Sequence, residues 1–126
     1  MSGEAEVKIR QDLSVEIALL ESSYSQVISG LSARDYDASV VASALKTFKD
    51  SLSRASAFTL TLYTLKGKQI NISWDHLFTH LDYAISAINS SHSLKQRDTV
   101  QTILSMSKEE FEQVLSFFAA LKRSIK

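Results

Sequence analysis

Apolar residues recur along this chain with two different periods. Leu13, Ile17, Leu20, Tyr24, Val27 and Leu31 follow one another in steps of 4, 3, 4, 3 and 4, which draws a single stripe down one face of a helix. Val41, Leu45, Phe48, Leu52 and Ala55 repeat the pattern with steps of 4, 3, 4 and 3. Gly30 lies near the end of the first stripe and is expected to stop it. Asp35 and Asp37 stand where acids favour the start of the next helix. Two long helices with a short connection predict an antiparallel pair. A third helix is expected around Leu77, Leu81, Ala84 and Ile88, widened by Phe78 and Ile85, with Ser73 or Asp75 as its cap. The run Asn89 to Ser93 reads as a loop. Ser93 with Gln96 makes a capping box for a short helix carrying Val100, Ile103 and Leu104. Ser107 with Glu110 makes a second one, with Met106 and Phe111 at the two staple positions. The last helix carries Phe111, Leu115, Phe118, Leu121 and Ile125.

The second period is two. Phe58, Leu60 and Leu62 alternate with Thr59, Thr61 and Tyr63, and after Gly67 the alternation returns as Ile70, Ile72 and Trp74 against Gln69, Asn71 and Ser73. Alternation of β-branched and aromatic residues suits a pleated surface. A three-residue loop, Leu65-Lys66-Gly67, would place Gly67 at a left-handed position. Leu62 then faces Ile70, Leu60 faces Ile72, and Phe58 faces Trp74, so every pair sorts apolar from polar. Ala55, Phe58, Leu62 and Leu65 also fit a helical spacing, but the cluster Thr59, Thr61, Thr64 and the following polar run weigh for strands. The fold expected is mostly α: a four- to five-helix bundle with one central β-hairpin at about residues 58–74.

The 126 residues suffice for one core, so a single domain is expected, with residues 1–6 frayed. Fourteen basic and fourteen acidic residues cancel, which argues against nucleic-acid binding by bulk charge. There is no cysteine, hence no disulfide, thiol nucleophile or thiolate zinc site. No apolar run reaches the length of a membrane span, and the charged N-terminus does not resemble a signal peptide, so an intracellular, cytoplasmic protein without membrane attachment is expected. Charge is uneven nonetheless: residues 1–37 hold seven acids and three bases, while residues 38–72 hold one acid and five bases, Lys46, Lys49, Arg54, Lys66 and Lys68. Mutual attraction of the first two helices explains this most simply. An alternative is a basic patch on the second helix and hairpin tip for an acidic ligand or nucleic acid.

Candidate chemistry is sparse. His76 and His80 lie one helical turn apart and are weak candidates to share a metal ion, with Asp75, Asp82 or His92 as a further ligand. Three glycines in all are too few for a phosphate-cradling loop, and no Gly-x-Ser-x-Gly elbow occurs. No cofactor is expected. The string Tyr63-Thr64-Leu65-Lys66-Gly67, with Asn71-Ile72 and Leu77, resembles the His-x-Leu-Lys-Gly signature of histidine phosphotransfer domains. That resemblance implies a helical bundle in which this stretch is helix and Lys66 is a site residue. Tyr63 stands where the phosphorylated histidine belongs and Lys68 where a small residue follows the glycine, so the implied protein is an inactive, docking-only relative.

Apolar surface beyond the main stripes is the more informative feature. Val114 and Phe117 flank the last stripe, Phe78 and Ile85 the third, and Val40 the second. Arcs this wide bury against two neighbours or against a partner. The expected function is therefore a non-catalytic protein–protein interaction module, a small subunit or adaptor that self-associates or joins a hetero-complex. Phe117, Phe118, Trp74, Tyr63, Lys66 and Lys68 are the expected contact residues.

Overall fold

The described residues form five helices: α1 (Ser2–Ser32), α2 (Ala38–Leu65), α3 (Asp75–Ser90), α4 (Gln96–Ser105) and α5 (Lys108–Ser124). They are seen in a computed structural model that describes residues 2–90 and 96–125, and no strand occurs among the described residues. The stripes read from the sequence are the core. Leu13, Ile17, Leu20, Val27 and Leu31 of α1 are buried, as are Val41, Leu45, Phe48, Leu52 and Ala55 of α2, Leu77, Leu81, Ala84 and Ile88 of α3, and Phe111, Phe118 and Leu121 of α5. Val114 is fully buried and Phe117, Phe78 and Ile85 pack against the core, so most of the wide apolar arcs are satisfied within the chain.

The frame of the molecule is the antiparallel pair α1–α2. It buries small residues on both helices, Ser23 of α1 and Ala44, Ser51 and Ala55 of α2. Gly30 belongs to the seam between the helices and does not end α1: a Cβ added there would stand 2.8 Å from Val41 Cγ2, so the bare backbone permits the close approach. The ion pairs Arg54–Glu16, at 2.6 Å, and Lys66–Glu6, at 3.9 Å, fix the register along the seam. Asp37 caps α2, its carboxylate accepting from the Ser39 amide at 3.0 Å and the Ser39 hydroxyl at 2.7 Å. The Ser39 hydroxyl and then its amide hold the Asp37 carboxyl below the usual range.

The expected hairpin is not formed. Residues Phe58 to Leu65 are the last two turns of α2. Their threonines belong in a helix here because each hydroxyl donates to the carbonyl one turn back: Thr59 to Ala55 at 2.7 Å, Thr61 to Ala57 at 3.0 Å and Thr64 to Leu60 at 2.8 Å. Thr59 and Leu62 are fully buried, whereas Leu60 is 42% exposed, an arrangement that matches helical rather than alternate burial. Gly67 does adopt the left-handed conformation, at φ 70°, but as a helix stop. Lys68 N–H donates to Tyr63 O at 2.8 Å and Gly67 N–H to Thr64 O at 3.0 Å, the paired bonds of a Schellman motif. Residues 68–74, the expected second strand, have no regular structure. With its partner wound into α2, that segment had nothing to pair with.

Other boundaries differ in detail. α1 includes residues 2–6 in its first turns. The first bond of α3 runs from Phe78 N–H to Trp74 O at 2.9 Å, so Trp74 occupies the cap position, while the Ser73 hydroxyl is bonded to Asp75 at 3.3 Å. Asn89 and Ser90 are helical rather than loop. The rest of that loop, including the Ser93 half of the first capping box, lies outside the described residues. Ser107 does precede α5, but its hydroxyl makes no capping bond and is buried without a partner. Met106 remains 63% exposed instead of closing a staple over Phe111.

Candidate functional site

The expected contact residues fall into two groups on the structure. Trp74, Phe117 and Phe118 form one aromatic cluster where the start of α3 meets α5, with ring centroids of Trp74 at 6.1 Å from Phe117 and 6.5 Å from Phe118. Phe118 is only 1% exposed and is a core residue, not a contact surface. Phe117 and Trp74 are half-buried against that core, and Trp74 Nε1 is buried without a hydrogen-bond partner. Tyr63, Lys66 and Lys68 lie at the far end of α2, where Tyr63 is half-buried and the two lysines are exposed. The helix stops at Leu65, so Lys66 and Gly67 terminate α2, and residues 68–72, where the phosphotransfer resemblance also needs helix, are not helical. The proposed basic patch is largely offset: Lys49 pairs with Asp82, Arg54 with Glu16 and Lys66 with Glu6.

His76 and His80 do come together, in an edge-on arrangement with centroids 4.4 Å apart. His76 Nδ1 lies 2.6 Å from Glu110 Oε1 of α5, and since a carboxylate only accepts, the ring nitrogen is the donor. Glu110's own backbone amide and then His76 hold its carboxyl below the usual range. His80 Nδ1 is buried without a partner. No group of three or more metal-binding side chains occurs among the described residues; His76, through Glu110, is a polar tie between α3 and α5.

A site that the sequence did not reveal lies between the second half of α1, the end of α4 and the start of α5. There a groove of about 230 Å³ is floored by Leu31, Leu104 and Phe111, with Tyr24 and Ile28 along one wall and Ser105 and Lys108 along the other. Three elements converge to build it. The α1 stripe delivers Tyr24 and Leu31. Tyr24 lies tilted at 5.4 Å from Phe111 and 6.2 Å from Phe48, and those two rings are 5.3 Å apart, so an aromatic triad supports the groove. α4 is drawn in by side-chain bonds to the end of α1 and the α1–α2 connection. Tyr36 Oη donates to Gln96 Oε1 at 2.8 Å, Arg97 to Ala33 O at 2.9 Å and Gln101 to Leu31 O at 3.2 Å.

The groove's edges are mixed: Ile28, 46% exposed, lines it together with Ser32, Gln101, Ser105 and Lys108. The Tyr24 phenol is pushed above its ordinary value by burial and then by Glu112, so it stays a neutral donor. Lys108 forms no ion pair among the described residues. Two other hollows open on the outer side of the α1–α2 seam. One lies beside Gly30 and Val40, and the other holds Val15 and Phe58 next to the Arg54–Glu16 pair. Sequence reading counted Tyr24, Leu31 and Phe111 as core stripe. The one available signal was Ile28 beside the stripe of α1.

No protein-family model matches the chain, and neither a curated protein nor a solved structure matches it. No helix among the described residues is long and apolar enough to cross a membrane.

Proposed function

We propose that this protein is a non-catalytic protein–protein interaction module whose receptor surface is the α1–α4–α5 groove. The observation that carries the reading is a groove between three helices lined by the core residues Leu31, Leu104 and Phe111. A well-packed interior leaves few voids larger than a water molecule. An open pocket on an apolar floor suits the anchor side chain of a partner, because such anchors dominate interface energetics when they fill a desolvated pocket. The aromatic cluster around Trp74 takes a supporting role, since it braces α3 against α5 from inside. Self-association remains part of the proposal as one source of the anchor.

Two measurements test it together. Light scattering of the purified chain across a concentration series distinguishes a self-associating module from one that awaits another protein. Affinity capture is then repeated with Ile28→Asp, which places a charge on the groove's rim, and with Tyr83→Asp, which places one on exposed α3 away from it. Association lost with the first variant and kept with the second supports the groove. Equal loss with both, or with neither, moves the interaction elsewhere.

A further inference from the structure

The connection between α2 and α3 has the character of a strand and no strand beside it. From Lys68 to Trp74 the chain neither turns nor bends, and burial alternates along it: Gln69, Asn71 and Ser73 are exposed, while Ile70, Ile72 and Trp74 are half-buried. Alternate burial is what an extended segment shows when one of its faces lies on a surface. No backbone amide or carbonyl from Gln69 to Ser73 pairs with another backbone group among the described residues. Unpaired peptide groups are costly away from water, so this edge faces solvent, and an open extended edge is a template for another strand. The stretch that alternates in the same way, Phe58 to Tyr63, is wound into α2 and cannot supply it.

The segment is complementary to itself. Asn71 is its midpoint, and two copies run antiparallel about a two-fold axis there place Ile70 opposite Ile72, Gln69 opposite Ser73 and Asn71 opposite Asn71. Apolar meets apolar and polar meets polar, each pair occurring on both sides of the axis. The same register sets Lys68 opposite Trp74, an ammonium beside an indole. It also brings Asp75 opposite Gly67, between Lys66 and Lys68 of the other copy. Neither Lys68 nor Asp75 has an ion pair within its own chain among the described residues. The place is separate from the groove, since Lys66 lies 3.9 Å from Glu6, at the other end of α1 from Ile28. We propose that residues 68–74 form a two-stranded antiparallel ladder with the same segment of a second copy of this chain.

The chain has no cysteine, so single-cysteine variants of the full chain read the register directly. Residues opposite each other in an antiparallel pair stand near enough for their thiols to join. Under mild oxidation Asn71→Cys should crosslink to its own copy about tenfold faster than Tyr83→Cys, because a formed pair holds its thiols at a millimolar effective concentration. Tyr83 is exposed on α3 and reports chance collision. Gln69→Cys and Ser73→Cys should crosslink slowly alone and quickly when mixed. Equal rates for Asn71→Cys and Tyr83→Cys overturn the pairing. Fast crosslinking of Gln69→Cys and Ser73→Cys each with itself overturns the antiparallel register in favour of a parallel one. A chain that stays monomeric while acetyl-Thr-Val-Thr-Val-Thr-amide slows amide exchange from Gln69 to Ser73 overturns the second copy in favour of a foreign strand. Adding Ile28→Asp should leave the Asn71→Cys crosslink unchanged, and its loss would overturn the assignment of self-association to this segment.

Discussion

α1 has two flanks built on opposite rules. Toward α2 it presents Gly30, where an added methyl would stand 2.8 Å from Val41 Cγ2, and small residues of the pair, Ser23, Ala44, Ser51 and Ala55, are buried. Toward α5 it presents Tyr24, met by Phe48 and Phe111, and beside those rings the structure leaves about 230 Å³ open. Small residues let backbones approach until nothing remains to fill. Large rings brace helices apart and leave gaps wherever three helices fail to converge. The first flank builds a frame, the second builds a frame with a vacancy, and the vacancy is where recognition can be added at little cost in stability.

Substitutions can break that contrast at either flank. The largest effect is expected from Phe48→Ala, which removes the ring joining both flanks and should cost about 4 kcal/mol in urea unfolding, the usual scale for a buried aromatic. A loss below about 1 kcal/mol would mean the triad is not the support it is taken to be. Ser51→Leu adds volume at a fully buried seam position and should cost about 2 kcal/mol through overpacking; a neutral result would show that the seam can open. Ile28→Phe adds comparable volume at the rim of the groove, and its unfolding free energy should stay within about 0.5 kcal/mol of the parent. A pronounced loss there would show the groove to be as closed as the seam.

The smallest effect tests the end of the frame. The Asp37 carboxyl is held low by Ser39, so its contribution is present above the ordinary carboxylate range near pH 4 and disappears as pH falls through the lower folded value. Asp37→Ala should therefore melt earlier than the parent at neutral pH and coincide with it in acid. Melting curves that stay apart at low pH would assign the difference to something other than this cap.

Much of the frame was legible from spacing alone, because stripes as long as Leu13 to Leu31 and Val41 to Ala55 fit only one period. Phe58 to Leu65 was not legible, for a definite reason. Over eight residues, positions 58, 62 and 65 satisfy a helical period while 58, 60 and 62 satisfy an alternating one. What decided between them was Thr59, buried with its hydroxyl returned to Ala55 O, and a hydroxyl's choice of partner leaves no trace in residue order. Gly67 was read for the right conformation in the wrong context, since a left-handed glycine closes a hairpin loop and a helix equally well. The groove was hidden more deeply. Its residues are ordinary stripe members drawn from both ends of the chain, and whether the space between them is filled depends on how α4 and α5 cross α1.

α4 is ten residues long, too short to hold helical structure by itself in water, and it is fastened to the end of α1 and its connection to α2 by Tyr36, Arg97 and Gln101. The long α1–α2 pair carries side-chain ties as well, Arg54–Glu16 and Lys66–Glu6, but it also buries the apolar stripes of two helices of 31 and 28 residues. Amide hydrogens of α4 are therefore expected to exchange through sub-global openings that leave α1 and α2 protected. The groove's outer wall would then be its least durable element, and an occupant that bridges Leu104 and Leu31 would be read out first as slowed exchange in α4.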